Sequence, residues 1–387
     1  MSTTIPTPST QTSGMSSNED LIGRSEVNDL DAILSVTNTE ADAVVSHVES
    51  HFDTIFTWDY EKGARPKLNR LYEKAKTSMW NGETDLPWET EVDQEAVVQA
   101  NSLANGSMLD AAQDLAGTPF ANFGDKEWLQ LGVESQNWTL SQFLHGEQGA
   151  MVCTARIVEN VPWIDAKYYA ATQVMDEARH VEVFAKYLDT KLSGHYPVNA
   201  HLKMLLDDII QDNRWDMTYL GMQIMVEGLA LAAFGFMHQM TPDPLFKQLL
   251  RYVMSDEARH VAFGVLSLKE YYEGLSDAEL RERQEFAFEA ALRMRDRFLM
   301  QEVFERMGVQ PKDALPLVLQ DEGRALFQVM LFSKIVPNCK KLGLLDACGG
   351  WLRDRFTEMG CIEFEDWKDT GEEYDAFALA EGDIKSA

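Results

Sequence analysis

The chain is poor in cysteine, poor in basic residues and poor in hairpin signals. Its four cysteines, Cys153, Cys339, Cys348 and Cys361, have no C-x-x-C spacing and are too few for a disulfide framework in 387 residues. A reducing, cytoplasmic setting is the resulting expectation. Lys and Arg number 34 against 63 Asp and Glu, a formal net charge of -29. Neither a phosphate backbone nor an anionic membrane attracts such a surface, so nucleic acid is excluded as a partner. The N-terminal stretch MSTTIPTPSTQTSGMSSNEDL lacks a basic n-region and an apolar h-region, so residues 1–25 read as a disordered tail and not a secretory leader. Alternating apolar and polar runs and Asn-Gly or Asp-Gly pairs are scarce, which excludes a sheet-based fold.

What is present is a core: 45% of the residues are hydrophobic, ample for one large domain or two ordinary ones. Residues 217–240, MTYLGMQIMVEGLALAAFGFMHQM, are long and apolar enough to cross a bilayer. Glu227 in the middle and the absence of a basic flank instead assign them to the centre of a helical bundle, with no membrane span. A carboxylate buried there needs a proton, a cation or a metal.

The pentapeptide Asp-Glu-Ala-Arg-His occurs twice, at 176–180 and 256–260, and each copy follows a lone glutamate: Glu147 precedes Glu177 by 30 residues, and Glu227 precedes Glu257 by 30. Glu and His at i and i+3 share one face of a helix. Helical periodicity places the four glutamates on elements of about 126–161, 163–192, 200–240 and 243–272. The two halves are related by an offset of 80 residues, an internal repeat of two helical hairpins. Facing each other they form a four-helix bundle, and Glu147, Glu177, His180, Glu227, Glu257 and His260 form the ligand set of a two-metal carboxylate site. Four buried carboxylates without a cation repel one another. Arg179 and Arg259, at i+2 from each glutamate, are expected to face outward. Asp176 and Asp256 are expected to support the histidine of the opposite hairpin from behind the ligands, beside any pairing with Arg179 and Arg259.

The remaining chain also reads as helical: 43–52, 68–80, a helix from 93 to the Gly117-Thr118-Pro119 break, 277–306 and 314–336, with Pro311 and Pro337 as punctuation, packing outside the bundle. WNGETDLPW, residues 80–88, is a loop, and 363–387 is an acidic tail ordered only in part. Leu144, Ala150, Met151, Val174, Val181, Phe184, Ile224, Ala230, Leu231, Val253, Met254, Val261 and Gly264 make an apolar lining in which alanine and glycine leave room for a small ligand. His145, His195 and His238 read as packing or surface residues.

The doubled pattern of a lone Glu followed by D-E-x-x-H resembles the ferritin-like di-iron carboxylate superfamily, in its ribonucleotide-reductase-like oxygenase and oxidase branch. The motifs cover about 140–275, and RLYEKAKTSMWNGETDLPW, residues 70–88, is similar to an N-terminal segment of that branch. The resemblance implies an all-α, ferritin-like four-helix bundle with added N- and C-terminal helices, one domain over 26–362 with its metal-binding core at about 126–273. It implies that the six residues hold two irons, with a Mn/Fe pair as the alternative. It implies an O2-dependent oxygenase or oxidase that hydroxylates, N-oxygenates or desaturates an apolar or amphiphilic small molecule, fed by an external electron donor such as a ferredoxin or reductase, and it admits a homodimer. A ferroxidase or iron-handling protein and a Mn/Fe ligand-binding oxidase are the alternatives. The chain departs from individual subfamilies: Phe184 replaces the radical tyrosine of reductase subunits, Gly149 and Met222 replace the Val-Tyr crosslink of ligand-binding oxidases, Val253 replaces the third histidine of arylamine N-oxygenases, and Leu231 replaces the hydroxylases' threonine.

Overall fold

The computed structural model describes residues 21–105 and 115–374, and every regular element among them is helical. The first elements are α1 (Leu30–Ser35), α2 (Pro66–Thr77) and α3 (Gln94–Asn105). The bundle follows as α4 (Asp125–Asn160), α5 (Ile164–Lys191), α7 (Trp215–Met240) and α8 (Pro244–Tyr272), with α6 (Ala200–Gln211) before α7 and α9 (Asp277–Arg297) after α8. Each bundle helix touches two others: α4 on α5, α5 on α8, α8 on α7 and α7 on α4. Helix α2 lies across α5 and α8, and α9 covers α6 and the first half of α7.

Local chemistry sets the ends. The Gly124 N–H donates to Glu127 Oε2 at 2.9 Å where α4 begins, and Pro162 prevents its continuation, leaving Val161 extended. Asn199 caps α6 by accepting from the N–H groups of His201 and Leu202. Asp243 caps α8 at the Leu245 N–H, 2.9 Å, with Pro244 in the first turn, where its missing N–H costs nothing. A Ser276–Glu279 capping box starts α9.

Several expected elements differ. The stretch 200–240 is two helices. Asp212 accepts from the backbone N–H of Arg214 at 2.9 Å and from its guanidinium, a side-chain turn that ends α6 and re-aims the chain. Residues 43–52 are not helical. They belong to an extended strap that is tied to the C-terminal end of α4 and the turn after it: Ile55 N–H donates to Glu159 O at 3.0 Å and Thr57 Oγ1 to Pro162 O at 2.6 Å, with Arg156 over the Phe52 ring. The 277–306 element breaks after α9, where Met300 adopts φ 52°, and resumes as Gln301–Arg306. The 314–336 element falls into Pro311–Val318 and Glu322–Met330, while Pro337 sits inside Ile335–Lys341, in the first turn and not at an end. The tail expected at 1–25 is helical or turn-like at 21–25, and its first 20 residues, like 375–387 of the acidic tail and 106–114 of the helix after 93, lie outside the described residues.

Helix α7 has the length and a mean hydropathy of 1.6 over its most apolar 18 residues to cross a membrane, yet 78% of that stretch is buried inside the protein. It is the core helix of the bundle. Its residues Leu220–Val226 form a π-helical segment directly before Glu227. Gly264 of α8 lets this segment approach: a Cβ there would lie 2.6 Å from the Cβ of Gln223 and 3.2 Å from Ile224 Cδ1. The space at Gly264 is thus filled by α7, and the expectation that it leaves room for a ligand is corrected. Gly264→Ala is expected to lower stability by roughly 1–3 kcal/mol, since neither the π segment nor α8 has room to retreat. An unchanged urea midpoint would refute this account of the contact.

Candidate metal centre

The two D-E-A-R-H copies come from facing helices, α5 and α8, and the lone glutamates from α4 and α7, so all six acids and imidazoles converge. Glu147, Glu177, His180, Glu227, Glu257 and His260 are each buried, none more than 5% exposed. Their donor atoms fall into two groups, Glu147, Glu177, His180 and Glu257 in one, and Glu177, Glu227 and His260 in the other, with the atoms of each group within 4.8 Å of one another. Glu177 belongs to both. His180 Nδ1 lies 3.1 Å from Glu147, 3.2 Å from Glu257 and 3.4 Å from Glu177, while His260 Nδ1 lies 3.0 Å from Glu177 and 3.7 Å from Glu257.

Behind the imidazoles the hairpins cross over. Asp256 of α8 lies 3.2 Å from Nε2 of His180 on α5, and Asp176 of α5 lies 3.3 Å from Nε2 of His260 on α8. With each Nε2 facing an aspartate, each Nδ1 is turned toward the glutamates. Arg179 and Arg259, expected on the outer face, are in fact buried at 5% and 1% exposure. Each donates to the aspartate three residues before it, and each also reaches across, Arg179 to Asp256 at 3.2 Å and Arg259 to Asp176 at 3.3 Å. The correction has a simple geometric cause. At i+2 from the glutamate the arginine does leave the ligand face, but the surface it meets is the other hairpin, and its i−3 partner is an aspartate already committed to that interface.

Three participants were not foreseen. Trp80 Nε1 donates to Asp256 Oδ2 at 2.8 Å, and its ring stacks on Tyr252 and lies under the Arg179 guanidinium. It comes from the start of the 80–88 loop, whose sequence signalled only a turn. Gln173 Nε2 bridges Glu177 at 3.1 Å and Glu227 at 2.9 Å. Its i−4 spacing from Glu177 places it on the ligand face and was a usable signal. Arg297, the last residue of α9, lines a cavity of about 20 Å³ together with Gln142, Phe143, Gly146, Val226 and the glutamates. Of the apolar residues expected to wall the site, Ala150 and Ala230 line this cavity. Phe184 instead stacks on Phe234, which packs on Phe143. His145 donates from Nε2 to the Tyr196 carbonyl, 2.9 Å, and His195 pairs with Asp189 at the surface, both away from the centre.

The electrostatics describe a site in need of positive charge. Burial, reinforced by the carboxylates of Glu177 and Glu257, holds Glu227 well above the usual carboxylate range. Burial likewise pushes Glu147 up to about 8. Burial acts to lower both imidazoles but is outweighed, for His180 chiefly by Glu147 and Asp256 and for His260 chiefly by Glu177, so both are raised. Glu177 goes the other way: burial opposes its ionisation, and the two histidines overcome it. One oxygen each of Glu177, Glu227 and Glu257 is enclosed and has no hydrogen-bond partner. Buried carboxylate oxygens aimed at one another and left without donors fit a cation between them.

A metal must displace the protons that these raised groups hold. Burial and the neighbouring carboxylates favour protons on this group of acids and imidazoles in the absence of metal, so metal affinity is expected to fall as pH falls from 8 to 6, with protons released on loading. Calorimetric titration in buffers of differing ionisation enthalpy measures this release, and a release of zero would contradict the assignment of shifts.

No family model matches the chain, and no curated protein matches it. Solved structures of variants of an R2-like ligand-binding oxidase with a reconstituted Mn/Fe cofactor are similar in helical layout. One aligns with a TM-score of 0.44 at 16% identity over 73% of this chain and 94% of the other. A second aligns with 0.40 at 16% over 80% and 96%, and a third with 0.40 at 15% over 82% and 100%. At this identity and this degree of superposition the chemistry of the centre rests on its own residues.

Proposed function

We propose that Glu147, Glu177, His180, Glu227, Glu257 and His260 hold two metal ions, two irons or a Mn/Fe pair, and that the protein is an O2-dependent oxidoreductase acting on a small organic molecule. The observation that carries this reading is the set of enclosed carboxylate oxygens without donors on Glu177, Glu227 and Glu257, facing two imidazoles. A donor set rich in carboxylate and poor in sulfur favours iron or manganese over zinc or copper. A reduced pair of such ions held by these residues would supply electrons for the activation of dioxygen.

The protein's own groups do the positioning. Glu177, common to both donor groups, joins the two halves of the centre. Asp176 and Asp256 fix the ring orientation of His260 and His180 by accepting a hydrogen bond from Nε2–H, leaving Nδ1 free to ligate. Gln173 holds the Glu177 and Glu227 carboxylates in mutual register. Arg179 and Arg259 neutralise the two aspartates, so the support adds no net charge to the centre. Burial of every member excludes bulk water from the reacting groups. An external electron donor, a ferredoxin or reductase, restores the reduced state in this reading, and four free cysteines suit a cytoplasmic setting.

Purified protein loaded with ferrous iron under anaerobic conditions is expected to hold about two metals per chain, and Glu227→Ala or Glu147→Ala to lose metal while keeping the helical circular dichroism spectrum. Less than about one metal per chain in the wild type would overturn the reading. Repeated turnover of ferrous iron without an organic substrate would place the protein among ferroxidases instead.

A further inference from the structure

We infer that Tyr169, Gln173, Tyr219, Gln223 and Ser267 form a buried water-binding seam that carries protons to the centre. The inference rests on the reading of that site as an oxidative centre and adds the route by which protons reach it.

A second pattern lies under the D-E-A-R-H repeat. Tyr-x-x-x-Gln-x-x-x-Glu occurs at 169–177 on α5 and again at 219–227 on α7, and its glutamates are Glu177 and Glu227. The 80-residue offset does not account for it, since that offset sets Leu249 and Val253 against Tyr169 and Gln173, and Thr139 and Phe143 against Tyr219 and Gln223. Helices α5 and α7 stand at opposite corners of the bundle, each touching α4 and α8. At i, i+4 spacing each Tyr and Gln follows the face of its glutamate, so the two rows run together along the bundle axis away from the centre. Gln173 Nε2 on α5 donates to Glu227 on α7 at 2.9 Å. The rings of Tyr169 and Tyr219 both pack on Phe263 of α8, with centroids 4.4 Å and 5.0 Å away.

These polar groups are enclosed and short of partners. Tyr169, Gln173, Tyr219 and Gln223 are 0% exposed and Ser267 is 2% exposed. Among the described residues nothing hydrogen-bonds to the hydroxyls of Tyr169, Tyr219 and Ser267, to either end of the Gln223 amide, or to Gln173 Oε1. Ser267 lies near enough for its hydroxyl to act on the Tyr219 phenol, yet the two make no direct hydrogen bond, the spacing that a bridging water fills. On the other side of the centre the buried Ser141, Gln142 and Tyr187 are all paired, with Asn137 O at 2.7 Å, Pro197 O at 2.8 Å and Asp243 at 2.5 Å. A core keeps a row of polar atoms on one side only where something bonds to them, and water is the molecule small enough to do so. The adjoining cavity at Glu147, Glu227 and Glu257, about 20 Å³, is itself the size of one water.

A buried oxidative centre needs such a route. When one atom of O2 enters a substrate, the other leaves as water, and two protons and two electrons are taken up. The external donor supplies the electrons, and the protons must cross the core. Solvent stands near the outer end of the seam, where the Tyr219 ring meets Trp215 at 5.5 Å and Trp215 meets Tyr271 at 4.7 Å, both of them half-buried. From there the hydroxyls and amides orient the waters, and the waters pass the proton inward.

The test uses the full-length protein, first without metal. A high-resolution crystal structure is expected to show ordered waters within hydrogen-bond distance of the Gln223 amide and the Tyr169 and Tyr219 hydroxyls. Gln223→Met keeps the length of the side chain and removes the amide. It is expected to melt several degrees below wild type, because the waters lose a partner, whereas loss of a dry, unpaired amide raises the melting temperature. With ferrous iron loaded and dioxygen added by stopped flow, Gln223→Met and Tyr219→Phe are expected to slow a single oxidation about ten-fold or more. Metal content stays at the wild-type level, and the slowing caused by D2O grows. Tyr219→Phe carries both measurements if Gln223→Met does not fold. A seam without water, a higher melting temperature in Gln223→Met, or wild-type oxidation rates in both variants would each overturn the inference. The readings separate on metal content: waters and a lowered melting temperature in protein that binds no metal uphold the water site and remove the oxidative centre, and two metals per chain beside a dry seam do the reverse.

Discussion

Four carboxylates held within a few ångströms of one another in the middle of a helical bundle repel, and most of what surrounds them offsets that repulsion. Each buried ion carries a desolvation penalty of several kcal/mol even after relaxation, so the arrangement persists only with opposite charge at hand. Two imidazoles with raised pKa values supply part of it. The rest is met by protons, which burial and the neighbouring carboxylates favour on Glu147 and Glu227.

The charge pattern also explains the layers outward from the centre. The histidines are fixed by aspartates, which are themselves carboxylates and require arginines; both arginines reach the facing helix, and Arg179 lies against Trp80. Because each aspartate serves the other hairpin's histidine, the network ties the two repeats together at the place where they meet. The repeat is thus a structural device as much as a record in the sequence: neither hairpin completes its own histidine environment. The asymmetry of the site comes from elsewhere. The π segment before Glu227 and the arrival of Arg297 from α9 affect one side only, and the cavity lies on that side.

The helical character of the bundle, the convergence of six residues and the core position of α7 were legible in the sequence, because the i, i+3 spacing and the 80-residue offset act through helix geometry alone. Legibility failed where a distant contact replaced a local one. The stretch 43–52 has helical composition but is held on α4 by side chains, Arg156 donating to Ser50 Oγ and lying over the Phe52 ring. Asp212 ends α6 through a side-chain turn that resembles any acidic surface position in sequence. Gly264 suggested room for a ligand until Gln223 was found to fill it. Arg179 and Arg259 suggested an outer face because a single helix has one, and in a bundle that face is another helix.

The sequence by itself therefore determined the donor set and the helices that carry it, since both depend on spacing along one chain segment. Only the tertiary structure decided which groups support those donors and what else reaches the centre. Trp80 stands 176 positions from Asp256, and Arg297 stands 150 positions from Glu147 and 40 from Glu257. No periodicity spans such separations. The burial of Arg297 and the small cavity it shares with Gly146 exist only once α4, α7 and α9 are packed together.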